Sequence, residues 1–500
     1  MAFDTSGIER GPDGIARYTD RPSSLVAMLR ATVERAGDRE AVVELGGGPR
    51  LTYRELWDGA ARVAGGLRAA GIGADDRVAI RLGNGADWVL AFWGAQLLGA
   101  IVVPVNTRFA ESEVSYVLED SGAAFVFEPE AALPDGEPVV NEGAGPDDVA
   151  AIFYTSGTTG FPKGAILTHA NFLSNCETAR RVVGLPRDAE LRTLVSVPLF
   201  HVTGCNSQLL VACDLGGTTV IMPTFEVKAF LEAIAAERID MLTTVPAIYW
   251  LAINQPEFAA TDMSSVQWAS YGGAPIAPEL VRRIMEAFPN ARVGNGFGLT
   301  ESSSIATYLP HDYAEARPET VGFAAPVVDL ELLDPDEEGA GELLIRGPNV
   351  CAGYWCKPEQ TAETFVDGWL HTGDVARIDD DGFVQIVDRK KDMINRGGEN
   401  VYCVEVENAL AGCPGVGEVA VVGVPDSMMG EKVGAVIVPA PGHRFDVDVV
   451  LARAREQLAD FKVPQYVSVR GEPLPRNPGG KVLKAQLRDA SFEPVRPARA

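Results

Sequence analysis

From Tyr154 to Gly164 the chain reads Tyr-Thr-Ser-Gly-Thr-Thr-Gly-Phe-Pro-Lys-Gly. Four aliphatic hydroxyls (Thr155, Ser156, Thr158, Thr159), three glycines (Gly157, Gly160, Gly164) and Lys163 share this short stretch, directly after the apolar Ala150-Ala151-Ile152-Phe153. A buried strand that breaks into such a loop offers backbone N–H groups, hydroxyls and an ammonium to a polyanion, which is how proteins hold phosphates. A Walker-type loop needs Gly, four residues, then Gly-Lys-Ser/Thr. Here Gly157 and Gly160 are too close, and Lys163 precedes Gly164 rather than a hydroxyl residue. That spacing excludes the Walker reading.

Four further segments mix glycine, hydroxyl and charged residues downstream. They are Asn295-Gly296-Phe297-Gly298-Leu299-Thr300-Glu301, Gly368 to Asp374, Asp388 to Asp392 with Arg396 to Asn400, and Pro475 to Lys481. In this order the five segments resemble the signatures of the adenylate-forming superfamily, which holds acyl-CoA synthetases, luciferases and the adenylation domains of peptide synthetases. The resemblance spans residues 154 to 481.

The resemblance implies activation of a carboxylic acid by ATP. A carboxylate is a poor acyl donor because oxide is a poor leaving group. Attack on the α-phosphorus gives an acyl-adenylate whose AMP departs readily, and a thiol then takes the acyl group. Bringing two anions together requires positive charge, a divalent ion and oriented donors. By the resemblance, Thr155, Ser156, Gly157, Thr158, Thr159, Gly160 and Lys163 hold the β- and γ-phosphates. Glu301 is the expected Mg²⁺ ligand and Thr155 a second candidate. Thr300 is expected on the α-phosphate, and Asp374 on the ribose with Arg389 assisting. Gly272, Gly273, Ala274 and Pro275, with Asn295, Gly296, Phe297 and Gly298, form the expected adenine slot. Phe297 departs from the family's usual tyrosine, which keeps stacking but removes any role of a phenol hydroxyl. Lys481 is the expected adenylating lysine, Lys391 the hinge, and Gly397, Gly398 and Glu399 line the expected pantetheine path. The implied cofactors are ATP, Mg²⁺ and coenzyme A.

By the same resemblance His201, Val202, Cys205, Tyr249, Gly273 and Ser302 belong to the acyl pocket, with His201 at its mouth. The segments 201–213, 243–252, 268–276 and 302–310 contain no Lys, Arg, Asp or Glu. A pocket for an amino acid needs an anion for its ammonium, and one for malonate needs a cation for the second carboxylate. An uncharged, mostly apolar acid is therefore expected, whether a fatty, an aryl or a bulky natural-product acid. A carrier-protein thiol as acceptor, an acyl-AMP passed to another protein, an inactive nucleotide-binding scaffold and a homodimer remain open alternatives. An inactive scaffold would have let Lys163, Glu301, Asp374, Arg389 or Lys481 erode, and all five are intact.

These groups must be positioned by a large soluble frame. The chain has 500 residues, 46% of them hydrophobic and 22% charged, ample for a sizeable core. Its net charge of −26 repels nucleic acid and anionic membranes, so anionic ligands must be held by local cations and N–H groups. The seven cysteines form no Cys-x-x-Cys pair, which favours reduced buried thiols over zinc or disulfides. Acidic residues before any apolar run argue against a signal peptide, and the apolar stretch 89–105 is too short to span a bilayer, so a cytoplasmic location without integral membrane association is expected. Short β runs alternate with amphipathic stretches from about residue 50: 78–82, 101–103, 193–197, 218–222 and 241–245, with helices at 86–98 and 227–237 among them. This rhythm predicts an α/β class of helix-covered, largely parallel sheets. Ligands in such folds bind where loops leave the carboxyl ends of strands. The acidic, Pro/Gly-rich stretch 129–148 reads as a surface connection. After Asp388 the pattern changes to strands at 418–424 and 433–438 and a helix capped by Asp446, a small α+β unit, which the resemblance implies is mobile. The expected domains are 1–390 and 391–500.

Overall fold

The computed structural model describes residues 3–495 apart from 156–161, 188, 398, 427, 441, 443–444, 477–481 and 489. The chain divides into two compact units. The larger comprises 1–331, 344–372 and 379–384, and the smaller comprises 332–343, 373–378 and 385–500. Both show the α/β and α+β characters expected of them.

The large unit is built on two sheets. In the nine-stranded one, six neighbours run parallel in the order 40–44, 218–221, 192–195, 241–244, 268–272 and 292–297. Antiparallel strands at 50–52 and at 307–309 with 323–324 close its two edges. The five-stranded sheet runs 125–127, 77–80, 101–104, 149–155 and 163–168, parallel except for the last pair. Strands such as Ile101–Pro104 and Thr218–Ile221 are buried at every position. That is what continuous Val/Ile/Thr runs require when helices cover both faces. The helix Ala86–Leu98 occupies the predicted residues, is buried almost throughout, and stops at Gly99 in the left-handed conformation. The stretch 129–148 is more than a surface connection. Gly136 N donates to Arg62 O at 3.1 Å and Val139 N to Ala61 O at 2.9 Å, laying it along the helix Tyr53–Ala69.

In the small unit six strands form one sheet, in the order 399–401, 394–396, 430–439, 466–469 and 493–494, with 416–426 also paired to 430–439. Helices Cys403–Ala411 and Val447–Gln457 cover it, and Val406, Leu410, Val421, Val433, Ile437, Val450 and Leu451 share its core. Asp446 caps its helix as predicted, accepting from Asp448 N at 3.0 Å. Among the described residues no helix is long and apolar enough to cross a membrane.

Candidate active site

The strands Val149–Thr155 and Lys163–Thr168 pair antiparallel, with Thr155 opposite Lys163. The hydroxyl-rich loop is therefore a hairpin connection, and the chain resumes as a strand rather than as the helix a Walker loop opens. Ser156, Gly157, Thr158, Thr159 and Gly160 lie outside the described residues. The base of the hairpin is braced by Tyr154, whose hydroxyl donates to Asp120 Oδ2 at 2.8 Å, while Lys357 pairs with the other Asp120 oxygen.

Strands 268–272 and 292–297 are parallel neighbours with Tyr271 opposite Asn295 and Gly272 opposite Gly296. Their carboxyl ends thus bring Gly272, Gly273, Ala274 and Pro275 beside Asn295, Gly296 and Phe297. A Cβ on Gly272 would stand 2.3 Å from the Gly296 carbonyl oxygen, so contact between the strands already demands glycine there. Asn295 is buried and donates to Thr320 O at 3.3 Å. A cleft of about 500 Å³ also opens at the amino ends of these strands, but Glu40, Arg50, Arg192 and Glu237 fill its wall with mutual ion pairs. Gly272 to Pro275 and Asn295 to Phe297 lie at the other end.

After Phe297 the chain turns sharply, and Thr300, Glu301 and Ser302 form one 3₁₀ turn. A Cβ on Gly298 would lie 1.4 Å from Ser304 O, so only glycine lets the turn fold back on itself. Ser303 and Ser304 have φ of 56° and 113°, a conformation that costs free energy unless surroundings enforce it. The enforcement is visible. Asn206 Nδ2 donates to Ser303 O, Ser207 Oγ to Ser304 Oγ at 2.7 Å, and Ser303 Oγ to Asn349 O at 2.7 Å. Asn349 Nδ2 reaches Ser302 O at 3.2 Å, and Ile305 N donates to Asn175 Oδ1 at 2.9 Å. Asn206 and Ser207 stand on a π-helical stretch, Cys205–Leu210, of the kind often found at functional sites.

The side chain of Glu301 accepts from the Tyr354 hydroxyl at 2.7 Å, and its carbonyl accepts from Cys351 N at 2.8 Å. The Tyr354 ring lies 5.1 Å from Lys163 Nζ. Lys163 and Glu301, far apart in sequence, therefore meet across Tyr354. Burial, then the Glu301 charge, push the phenol's pKa well up, so it stays a donor. One carboxylate with a hydroxyl nearby is a hard-oxygen donor set that suits Mg²⁺ whose remaining ligands are phosphates and water. Among the described residues no group of three His, Cys, Asp or Glu converges on a metal.

The remaining pocket residues divide. His201 is half-buried, its ring 4.7 Å from that of Phe200, and heads the helical stretch bearing Val202 and Cys205, both buried. Tyr249 does not stand with them. It is fully buried against Phe288, and its hydroxyl donates to Ser270 O at 3.1 Å, which makes it a satisfied core tyrosine. Ser302 is likewise a turn former: Leu299 N donates to its hydroxyl, and the hydroxyl donates to Leu299 O.

In the small unit Asp374 is buried and its Oδ1 is 2.6 Å from Arg389 Nε. Lys390 pairs with Glu342 at 2.8 Å, and Arg488 Nη2 donates to Lys391 O at 3.2 Å. The neighbouring Asp388 is buried and accepts from the backbone N–H groups of Arg389 and Cys403. Burial outweighs those donors and the Lys484 charge, pushing its pKa up to about 6. Lys484 forms a half-buried pair with Glu407 at 2.7 Å. Gly397 has φ of 64° and donates to Met429 O at 2.7 Å, and Glu399 lies 3.7 Å from Arg396. Gly398 and Lys481 lie outside the described residues. The bridge Arg476–Val482 and the bond from Leu483 N to Pro475 O join the described residues on either side of 477–481.

Tyr354, Asn206 and Asn349 were not singled out by the sequence. The run Asn206-Ser207-Gln208 inside an otherwise apolar stretch was the available signal, because buried polar groups must find partners. Tyr354 had no such signal.

Comparison with known proteins agrees with this arrangement. The AMP-binding enzyme family model matches residues 29–355, and the AMP-binding enzyme C-terminal domain matches 405–481. A feruloyl-CoA synthase of an Amycolatopsis species is 38% identical over 467 residues, covering 88% of this chain and 94% of that protein. A long-chain-fatty-acid–CoA ligase of Mycobacterium tuberculosis is 36% identical over 499 residues, covering 92% and 97%. The o-succinylbenzoate CoA synthetase of Bacillus subtilis, solved with its acyl-adenylate intermediate, superposes with a TM-score of 0.84 at 28% identity over 94% of this chain and 99% of that one. The same enzyme has been solved with ATP and magnesium ion. With two family models matched in order across most of its length, the chain belongs to the AMP-binding enzyme family, the adenylate-forming acyl-CoA synthetases.

Proposed function

We propose that this chain activates an uncharged, mostly apolar carboxylic acid with ATP and transfers it to coenzyme A. The observation that carries the reading is the meeting of Lys163 and Glu301 across Tyr354, at the root of the hydroxyl-rich hairpin. Lys163 and the hairpin hold the β- and γ-phosphates, and Thr300 steadies the α-phosphate. Mg²⁺, held by Glu301 with Thr155 as a second candidate, supplies charge neutralisation. Asp374, oriented by Arg389, takes the ribose hydroxyls. Lys481 brings the substrate carboxylate to the α-phosphorus. The carboxylate oxygen forms the new P–O bond as the bond to pyrophosphate breaks, and the CoA sulfur later displaces AMP from the acyl carbon. Lys391 serves as the hinge between these steps, and Gly397, Gly398 and Glu399 flank the thiol's approach.

The charge-free segments support an aryl or fatty acid as substrate, and the named relatives act on acids of those two kinds. They are CoA ligases, which favours CoA over a carrier-protein thiol. A cytoplasmic location is supported by seven free cysteines, six of them buried. The test is pyrophosphate release over a panel of aryl acids, fatty acids, malonate and amino acids, with and without CoA. Turnover should rise with apolar size until the pocket fills, each buried methylene adding up to about 0.8 kcal/mol. Efficient use of malonate or an amino acid would overturn the apolar reading.

A further inference from the structure

We propose that Tyr354 is a positioning residue for the metal–triphosphate site, fixing the Glu301 carboxylate with its hydroxyl and seating the Lys163 ammonium against its ring face. The inference rests on the ATP-binding role given to Lys163 and Glu301 above. Three observations support it. The Tyr354 hydroxyl occupies Glu301 Oε1, and among the described residues no partner is bonded to Oε2, so one oxygen is tied and the other presented. The face of the same ring lies against the Lys163 ammonium. One side chain thus touches the cation through its ring face and the anion through its hydroxyl, the two charges that the roles above give to the triphosphate and its metal.

The tyrosine itself is held rigidly. Residues 352–355 are tied to the strand Lys163–Thr168 by Ala352 N to Ile166 O at 3.1 Å, Ile166 N to Gly353 O at 2.9 Å and Trp355 N to Gly164 O at 2.8 Å. Tyr354 N donates to Thr361 Oγ1 at 2.9 Å, and its ring meets Phe365 edge-on at 5.6 Å. Nothing in the roles assigned above uses this side chain, yet it spends a buried hydroxyl on the proposed metal ligand. A group that fixes one carboxylate oxygen lowers the reorganisation needed when the cation arrives.

The experiment is titration calorimetry of the full chain with a non-hydrolysable ATP analogue, with Mg²⁺ and again with EDTA. Tyr354→Phe keeps the ring and removes the hydroxyl. It should weaken binding of the Mg²⁺ complex about tenfold, as expected for loss of a hydrogen bond to a charged group, and leave metal-free binding unchanged. In a Glu301→Gln background the same change should have no further effect on Mg²⁺-dependent binding, because the carboxylate it positions is gone. Tyr354→Leu should also weaken metal-free binding, since Lys163 loses its ring. Equal weakening with and without Mg²⁺ in Tyr354→Phe, or none, overturns the proposal. Absence of Mg²⁺-dependent binding in the unaltered protein would instead defeat the functional reading on which the proposal stands.

Discussion

The turn that carries Glu301 and the stretch from Asp388 to Lys391 are held by different physics. The Glu301 turn has a backbone that would relax if released, and neutral amides and hydroxyls from Asn175, Asn206, Ser207 and Asn349 pin it from several segments at once. Such bonds are buried and directional, so they specify a single conformation. The stretch after Asp388 relies on charge. The Lys390 side chain is 62% exposed in its pair with Glu342, and Arg389 is 37% exposed in its pair with Asp374. In both pairs the cation reaches solvent while its carboxylate partner is buried, so the cation end can leave for water more easily than a buried amide can. The contrast suits one region built to present fixed groups and another built to rearrange.

The sharpest way to break this contrast is Lys481→Ala. If the small unit delivers groups for one step at a time, adenylation should fall by several orders of magnitude, about 3–5 kcal/mol of transition-state stabilisation. Thioester formation from supplied acyl-adenylate should be largely spared. Pyrophosphate release and single-turnover thioesterification measure the two halves separately. Equal damage to both would mean that the small unit's groups act in one fixed pose.

A smaller effect compares the two regions directly. Asn206→Ala strands the Ser303 carbonyl in the interior and should cost about 2 kcal/mol in denaturant unfolding. Adenylation should fall further than stability alone explains, because Ser303 and Ser304 can then relax away from the Glu301 turn. Lys390→Ala removes a mostly exposed cation from a carboxylate that also accepts from Gly373 N, and should cost about 1 kcal/mol, less than Asn206→Ala. Similar costs for the two would erase the distinction between a clamped turn and an adaptable one.

How much of this was legible beforehand follows from what sequence spacing can carry. The parallel sheets and the helix at 86–98 were legible, because apolar runs and the glycine stop at Gly99 are local signals. The segments that supply Lys163, Glu301, Asp374 and Arg389 were legible as residue types in order. Their meeting was not. Tyr354 lies 53 residues beyond Glu301 in the chain and is brought to it by contacts of its segment with the strand Lys163–Thr168 and with the Glu301 turn itself. Tyr249 marks a limit of the sequence, because an aromatic in a charge-free segment looks the same whether it lines a pocket or fills a core, and in the fold its hydroxyl finds a backbone acceptor. The strain at Ser303 and Ser304 is invisible in residue type, since serine is common in any turn.

The mildest prediction concerns acid. Asp388 is an ordinary carboxylate near 3.8 in the unfolded chain, and burial pushes it up to about 6 in the fold. Between those values the folded chain keeps a proton that the unfolded chain has released. Stability from this group therefore grows as pH falls through about 6 and fades as pH rises above it. Two backbone donors and the Lys484 charge oppose the shift, but Lys484 already shares its charge with half-buried Glu407, which weakens its help. Asp388→Asn removes the titration. On going from about pH 6.5 to about pH 5, the native chain should gain about 1 kcal/mol more unfolding stability than Asp388→Asn. Urea melts of both proteins at the two values would show it as a difference in midpoint shift. Parallel shifts would mean that the backbone donors dominate and that Asp388 is ionised in the fold. The stretch after Asp388 would then be anchored by a fixed buried charge, much closer in kind to the clamped Glu301 turn.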